Sequence, residues 1–214
     1  MPELQELPES HIFQTYGIVL LENKHRLVKK LKRHYTPSIH GHKAWNSSFL
    51  LMDYFLHTKL LNKQQRVLEL GCGWGPTSIF CAHHAGCHVT GTDRDEDVFP
   101  FLELQASMNQ VEITTQTISF EKITKNMLSE YSIVFGTDIC FWDDLSRIHY
   151  NLINRAKQAG VKHLLLADPG RQPFFDLAEK ALARHDGDLH QWYCNEPEYF
   201  DGFILHLTFN SSPF

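Results

Sequence analysis

The stretch Val67-Leu68-Glu69-Leu70-Gly71-Cys72-Gly73-Trp74-Gly75-Pro76 constrains this chain more than any other. Apolar residues flank a single acid, and then three glycines fall at alternate positions. That is the pattern of a buried strand running into a tight turn where backbone comes close to a ligand. Small and apolar residues resume at Thr77-Ser78-Ile79-Phe80-Cys81-Ala82, so a helix is expected just past the turn. Two kinds of cofactor site use such a unit. The dinucleotide fingerprint Gly-x-Gly-x-x-Gly places its third glycine three residues after the second, where helix and sheet pack closely. Here Pro76 stands at that place, and the third glycine arrives one residue early, at Gly75. Proline is tolerated in a first helical turn, because its missing N–H would be unpaired there anyway. Its ring nevertheless forbids the close contact that the dinucleotide glycine serves.

Around this turn the chain alternates β-prone and helical segments, the rhythm of a mostly parallel sheet with both faces covered. Strands are expected at 67–70, 88–92, 113–118, 132–136, 163–167, 189–194 and 203–209. Helices are expected at about 77–84, 97–109, 145–158 and 174–184. The last two strands lack a long helical segment between them, so they can pair antiparallel. A further helix over 44–61, carrying Trp45, Phe49, Leu50, Met52, Phe55, Leu56 and Leu60, precedes the first of these strands, with Asn46 or Ser47 as its cap. Before it, residues 11–21 read as a strand or a short hairpin broken at Gly17. Residues 24–33 carry six Lys/Arg on an amphipathic helix whose face is Leu27, Leu31 and Tyr35 with Val28 beside them. A solvated helix and a basic surface for an acidic or nucleic-acid partner are both readings of that segment.

In an open α/β sheet, ligands bind beyond the carboxyl ends of the strands. Asp93 ends the second strand, about 20 residues past the glycine turn, where a carboxylate can accept hydrogen bonds from a ribose diol. Ser119-Phe120 closes the third strand, and Gly136-Thr137-Asp138-Ile139-Cys140-Phe141-Trp142 follows the fourth.

The pattern Glu69-x-Gly71-x-Gly73-x-Gly75 resembles motif I of class I S-adenosylmethionine-dependent methyltransferases. Asp138-x-x-Phe141 resembles the Asp-x-x-Tyr/Phe motif of methyltransferase family 16, the seven-strand protein lysine methyltransferases and their relatives. The run Ala44-Trp45-Asn46-Ser47-Ser48-Phe49 resembles that family's Trp-containing helix start. Asp168-Pro169-Gly170-Arg171 resembles the segment after strand five in electron transfer flavoprotein β-subunit lysine methyltransferases. The resemblance implies a Rossmann-like seven-stranded α/β fold, mostly parallel with an antiparallel last strand and helices on both faces. It implies a methyltransferase domain over residues 44–214 and an N-terminal extension over 1–43 packed on it.

The resemblance further implies S-adenosylmethionine as cofactor, S-adenosylhomocysteine as product, and a protein lysine as acceptor. Cofactor contacts fall to Trp45, Glu69, Gly71, Cys72, Gly73, Gly75, Asp93, Arg94, Ser119, Phe120 and Asp138. Glu69 would meet the methionine part or orient the glycine turn. At the adenine position, where many relatives use an acid, the chain offers only the Ser119 hydroxyl and the Phe120 backbone. Asp138 and Phe141 are the expected catalytic residues. A lysine amine is mostly protonated at pH 7, at a cost of roughly 4.6 kcal/mol for the nucleophilic form. A cleft carboxylate can bind and orient the ammonium, and aromatic faces such as Phe141 and Trp142 can contact it. Asp138 could otherwise be a helix cap, Phe141 and Trp142 core, and Arg171 a loop anchor or a clamp for an acidic group. There is no Pro-Pro after the fourth strand, which argues against amide or base nitrogen as acceptor. A small-metabolite methyltransferase, a non-catalytic S-adenosylmethionine binder, an RNA-binding methyltransferase using residues 24–33 and a nicotinamide oxidoreductase are the alternatives.

Composition sets outer bounds. With 214 residues, 43% apolar, the chain fits one domain with a sizeable core. A net charge of −5 argues against a strongly polyanionic partner. The five cysteines form no disulfide framework, so a reducing compartment is expected. The 14 histidines include His40-x-His42, His83-His84 and Cys87-His88, none with a zinc spacing, and no metal is expected. Residues 1–9 are acidic and proline-broken, unlike a signal or transit peptide, and are expected to be loosely attached. A cytoplasmic monomer without membrane spans is the expectation.

Overall fold

The computed structural model describes residues 10–38 and 43–209. A hairpin of β1 (Ile12–Thr15) and β2 (Ile18–Leu21) leads through α1 (Arg26–Leu31) to α2 (Asn46–Thr58). Alternation follows: β3 (Arg66–Leu70), α3 (Pro76–Ala85), β4 (His88–Asp93), α4 (Phe99–Met108) and β5 (Thr114–Thr117). Next come α5 (Lys125–Leu128), β6 (Ile133–Thr137), α6 (Asp143–Ala159), β7 (His163–Asp168), α7 (Gln172–Leu182), β8 (Gly187–Cys194) and β9 (Phe200–Thr208).

The main sheet has seven strands in the order β5-β4-β3-β6-β7-β9-β8. Strands β3 to β7 pair in parallel, and β9 lies antiparallel between β7 and β8. Side chains alternate across it, as strand geometry requires. Val67, Ile133, Phe135 and Leu165 face the layer of α2, α3 and α4, whereas Leu68, Leu70, Val134, Leu164 and Leu166 face α5, α6 and α7. Both layers are built of buried apolar side chains.

The N-terminal run is a hairpin, and α4 ties it down. Gln105 donates to Leu21 O and accepts from Leu21 N, and Asn109 does the same for Val19. Helix α1 stops after Leu31, so the expected apolar face is shorter: Val28 is buried, Leu27 and Leu31 are partly so, and Tyr35 is exposed. The basic side chains of residues 24–33 face solvent.

Helix α2 is also shorter than the periodicity predicts. Lys59 takes a left-handed conformation and ends it with an N–H to Phe55 O. Neither Asn46 nor Ser47 caps it, because Trp45 occupies the cap position and contributes no side-chain bond. The long helix before β7 starts at Asp143, two residues earlier than expected.

The five cysteines are free and buried. Among the described residues no helix is long and apolar enough to cross a membrane, and no three His, Cys, Asp or Glu side chains gather as metal ligands. The readings made for residues 1–9 and for His40-x-His42 lie outside the described residues.

Candidate active site

The carboxyl ends of β3, β4, β5 and β6 open into one cavity of about 500 Å³, within the range of small-molecule sites. The glycine turn forms its floor. Gly75 is the N-cap of α3 with φ +65°, and Pro76 is the first helical residue. A Cβ at Gly75 would fall 2.6 Å from Leu102 Cδ1, so α4 can pack there only against glycine. Gly73 has φ +51° and would meet nothing within 4 Å, which leaves the backbone open to the cavity. Trp74 stacks on Phe101 at 5.0 Å, which ties the turn to α4.

Asp93 ends β4. Its Oδ2 accepts Gly73 N–H at 3.2 Å and its Oδ1 accepts Asp95 N–H at 3.1 Å. Burial pushes its pKa up from the ordinary value. Each oxygen retains a lone pair, so a diol remains a possible partner. Ser119, Phe120 and Glu121 wall the cavity beyond β5. Phe120 O accepts Arg155 Nη2 at 2.8 Å, which holds that short turn in place.

The opposite wall follows β6. Asp138 is buried with φ +55°, and its N–H donates to Ala167 O. Its Oδ2 accepts Ser47 N–H at 3.2 Å, so the carboxylate caps α2 from across the sheet. Its Oδ1 pairs with Arg171 Nη2 at 2.9 Å, while Arg171 Nη1 meets Asp168 Oδ2 at 2.7 Å. Asp168 also accepts the N–H groups of Gly170 and Arg171, an anchor for the turn after β7. The guanidinium lies 4.2 Å above the Phe141 ring. Phe141 meets Trp45 edge to face at 5.8 Å, and Lys43 Nζ lies 4.3 Å over the other aromatic, Trp45. Asp138 thus stands beside an aromatic slot whose two faces carry the cations of Arg171 and Lys43.

Ten of the residues expected from sequence line this one cavity: Trp45, Gly71, Cys72, Gly73, Asp93, Arg94, Ser119, Phe120, Asp138 and Phe141. Gly75 stands behind the wall. Glu69 does not reach it either. Its carboxyl accepts from Ser78 N at 3.2 Å and from Ser78 Oγ, at the start of α3, and burial pushes its pKa up to about 8. The alternation of β3 points Glu69 towards α3, so its placement supports orientation of the turn. Asp138 does not cap α6, whose N-cap residue is Trp142. The wall beyond β5 differs from expectation in one residue. Glu121 lines the cavity, so the chain offers an acid there besides the Ser119 hydroxyl. Its position two residues past Ser119 was the available signal. Ser48, Trp74 and Lys43 are further wall residues that sequence reasoning left out.

The cavity fits an adenosyl methyl donor: a carboxylate at the ribose position, an open glycine backbone, and an apolar wall of Val98, Ile118 and Phe120. Fold and site together define a class I methyltransferase. The chain belongs to the lysine methyltransferase family, methyltransferase family 16, whose profile matches residues 27–172.

A curated relative is the protein N-terminal and lysine N-methyltransferase EFM7 of Cryptococcus neoformans, 36% identical over 70 residues. That stretch is 32% of this chain and 23% of the relative, so the match spans about a quarter of the relative's length. Among solved structures, the SAM-dependent methyltransferase from Agrobacterium tumefaciens aligns with TM-score 0.66 at 12% identity, over 98% of this chain and 73% of that one. The ribosomal protein L11 methylase of Lactobacillus delbrueckii subsp. bulgaricus aligns at 0.59 and 12%, over 94% and 100%. The tRNA (uracil-54, C5)-methyltransferase of Pyrococcus abyssi, in complex with S-adenosyl-L-homocysteine, aligns at 0.60 and 13%, over 92% and 44%. At these identities the likeness concerns the fold.

Proposed function

We propose that this protein is an S-adenosylmethionine-dependent methyltransferase acting on the side-chain amine of a protein lysine. The observation that carries the reading is one cavity with a ribose-type carboxylate and glycine turn at one end and an aromatic slot beside Asp138 at the other. When bound, S-adenosylmethionine supplies a methyl group on a sulfonium. Asp93 and the Gly71–Gly73 backbone hold the nucleoside and methionine parts, and Ile118, Phe120 and Glu121 enclose the base. Trp45 and Phe141 receive the alkyl stem and the cation of the acceptor lysine. Asp138, on the cavity wall beside these rings, orients the incoming ammonium, and the aromatic walls exclude water, which favours the neutral amine that attacks. Much of the acceleration then comes from holding amine and methyl in line.

Asp138 is bound on both oxygens, so its role is to set the slot rather than to float as a free base. Asp138→Asn keeps an acceptor for Ser47 and removes the charge. It should leave cofactor affinity by calorimetry nearly unchanged and, by loosening the acceptor's alignment, slow transfer roughly tenfold to a hundredfold. Asp93→Ala should instead weaken cofactor binding, by roughly thirtyfold for two hydrogen bonds of about 1 kcal/mol each. Unaltered affinity in that variant would remove Asp93 from the site. The acceptor is tested by incubating purified protein, methyl-labelled cofactor and cell extract. Label on protein lysine is expected. Label confined to RNA or to small molecules would overturn the acceptor, and failure to bind S-adenosylmethionine would overturn the whole reading.

A further inference from the structure

We infer that Lys43 is an internal methyl acceptor: the protein methylates its own Lys43 in cis. The inference rests on the transferase reading above and adds a modification site to it. Lys43 is exposed, belongs to the wall of the cofactor cavity, and holds its Nζ 4.3 Å over the Trp45 ring. Trp45 in turn meets Phe141, the aromatic that follows β6 at the acceptor end. An ammonium over an aromatic face is the contact by which such a slot recognises a lysine. The chain therefore seats one of its own lysines where a substrate lysine would enter.

Position separates Lys43 from the other lysine of the cavity wall. Lys122 follows Phe120 and Glu121 at the base-binding end, away from the aromatic slot. Ser38, on the same N-terminal segment as Lys43, is bound through its N–H and hydroxyl to Asp95, which is itself held by Asp93 at the ribose end. Ser38 is thus attached at the ribose end, and Lys43 meets the acceptor end. Four rotatable bonds let the Lys43 amine swing from Trp45 into the cavity, and tethering replaces a bimolecular encounter with an intramolecular one.

The step balances. The lone pair of the neutral Lys43 amine forms the N–C bond to the methyl carbon, and the S–C bond breaks with its electrons retained by sulfur. The sulfonium becomes the neutral thioether of S-adenosylhomocysteine, and the amine proton passes to water.

The test incubates purified full-length chain with trideuteromethyl S-adenosylmethionine and maps the modified lysine by peptide mass spectrometry. The same incubation is repeated with cell extract present. Label on Lys43 is expected, with a rate per molecule unchanged on dilution, and Lys43→Arg should lose it. A readout independent of transfer is the NMR signal of Lys43 after isotopic reductive methylation. That signal should be displaced upfield by the Trp45 ring, return towards the exposed-lysine position in Trp45→Leu, and move on adding S-adenosylhomocysteine. Label on extract proteins but not on Lys43 overturns this inference and leaves the transferase reading intact. Labelling of Lys43 that slows on dilution, or label spread over the surface lysines, also overturns it. No label anywhere overturns both readings.

Discussion

Gly73 and Gly75 stand two residues apart in left-handed conformations, yet they answer to different constraints. Gly75 is glycine because Leu102 of α4 occupies the space of a Cβ, whereas Gly73 is glycine beside open cavity. Gly75→Ala should therefore cost stability, about 1–3 kcal/mol from overpacking and backbone strain together, read as a lower melting temperature. Gly73→Ala should melt closer to the parent and show its larger loss in cofactor affinity by calorimetry. Equal behaviour of the two variants would contradict this division. The three-glycine spacing is legible in the sequence because turn geometry is local. What each residue faces is not. The direction of Glu69 follows from its sharing a strand face with Val67, but only the packing of α3 on that face shows that its partner is Ser78. Asp138 is similar: its place after a strand could be read, while its bonds to Ser47 and Arg171 join residues distant in sequence.

Elements show the same boundary between local and long-range information. Strands β3, β6 and β7 are apolar runs with abrupt ends, so their existence follows from local pattern, whereas the polar β5 is a strand because it pairs with β4. Helix α4 carries a second message that hydrophobic periodicity hides. Gln105 and Asn109 lie four apart on one face and are buried, each offering its amide to both backbone groups of one β2 residue. They replace the neighbouring strand that β2 lacks on its outer side. In the sequence they look like ordinary polar positions of an amphipathic helix. Gln105→Leu preserves the volume approximately but orphans Leu21 N–H and C=O, which should cost about 2–4 kcal/mol. Urea denaturation would measure the loss. Amide exchange should accelerate at Val19 and Leu21 more than in β3 or β6, and a uniform acceleration would show that the hairpin is not held chiefly by α4.

At the scale of the whole molecule, buried ionisable groups on both sides of the sheet set opposing pH limits on stability. Burial raises the Glu69 carboxyl from 4.5 to about 8. Between those values the folded state holds a proton that the unfolded state releases, so its contribution is complete below pH 4.5 and is lost as pH rises through 8. His149 is lowered from 6.5 to about 4 by burial, so its contribution is complete above pH 6.5 and is lost as pH falls through 4. His206 is lowered to about 4 as well, by burial first and then by neighbouring His163, though its greater exposure to solvent reduces the effect. Each fully effective group contributes a slope of about 1.36 kcal/mol per pH unit. Between pH 4.5 and 6.5 the histidines oppose Glu69, and above 6.5 their contributions are complete while that of Glu69 declines, which places the stability maximum near pH 6.5. Urea titrations over that range should show stability declining from pH 6.5 to 8. Glu69→Gln, which keeps an acceptor for Ser78, should flatten this alkaline limb. His149→Gln should weaken the acid limb and leave the alkaline one. An alkaline decline that survives intact in Glu69→Gln would assign it to another group and break the link between the glycine turn and the pH response of the fold.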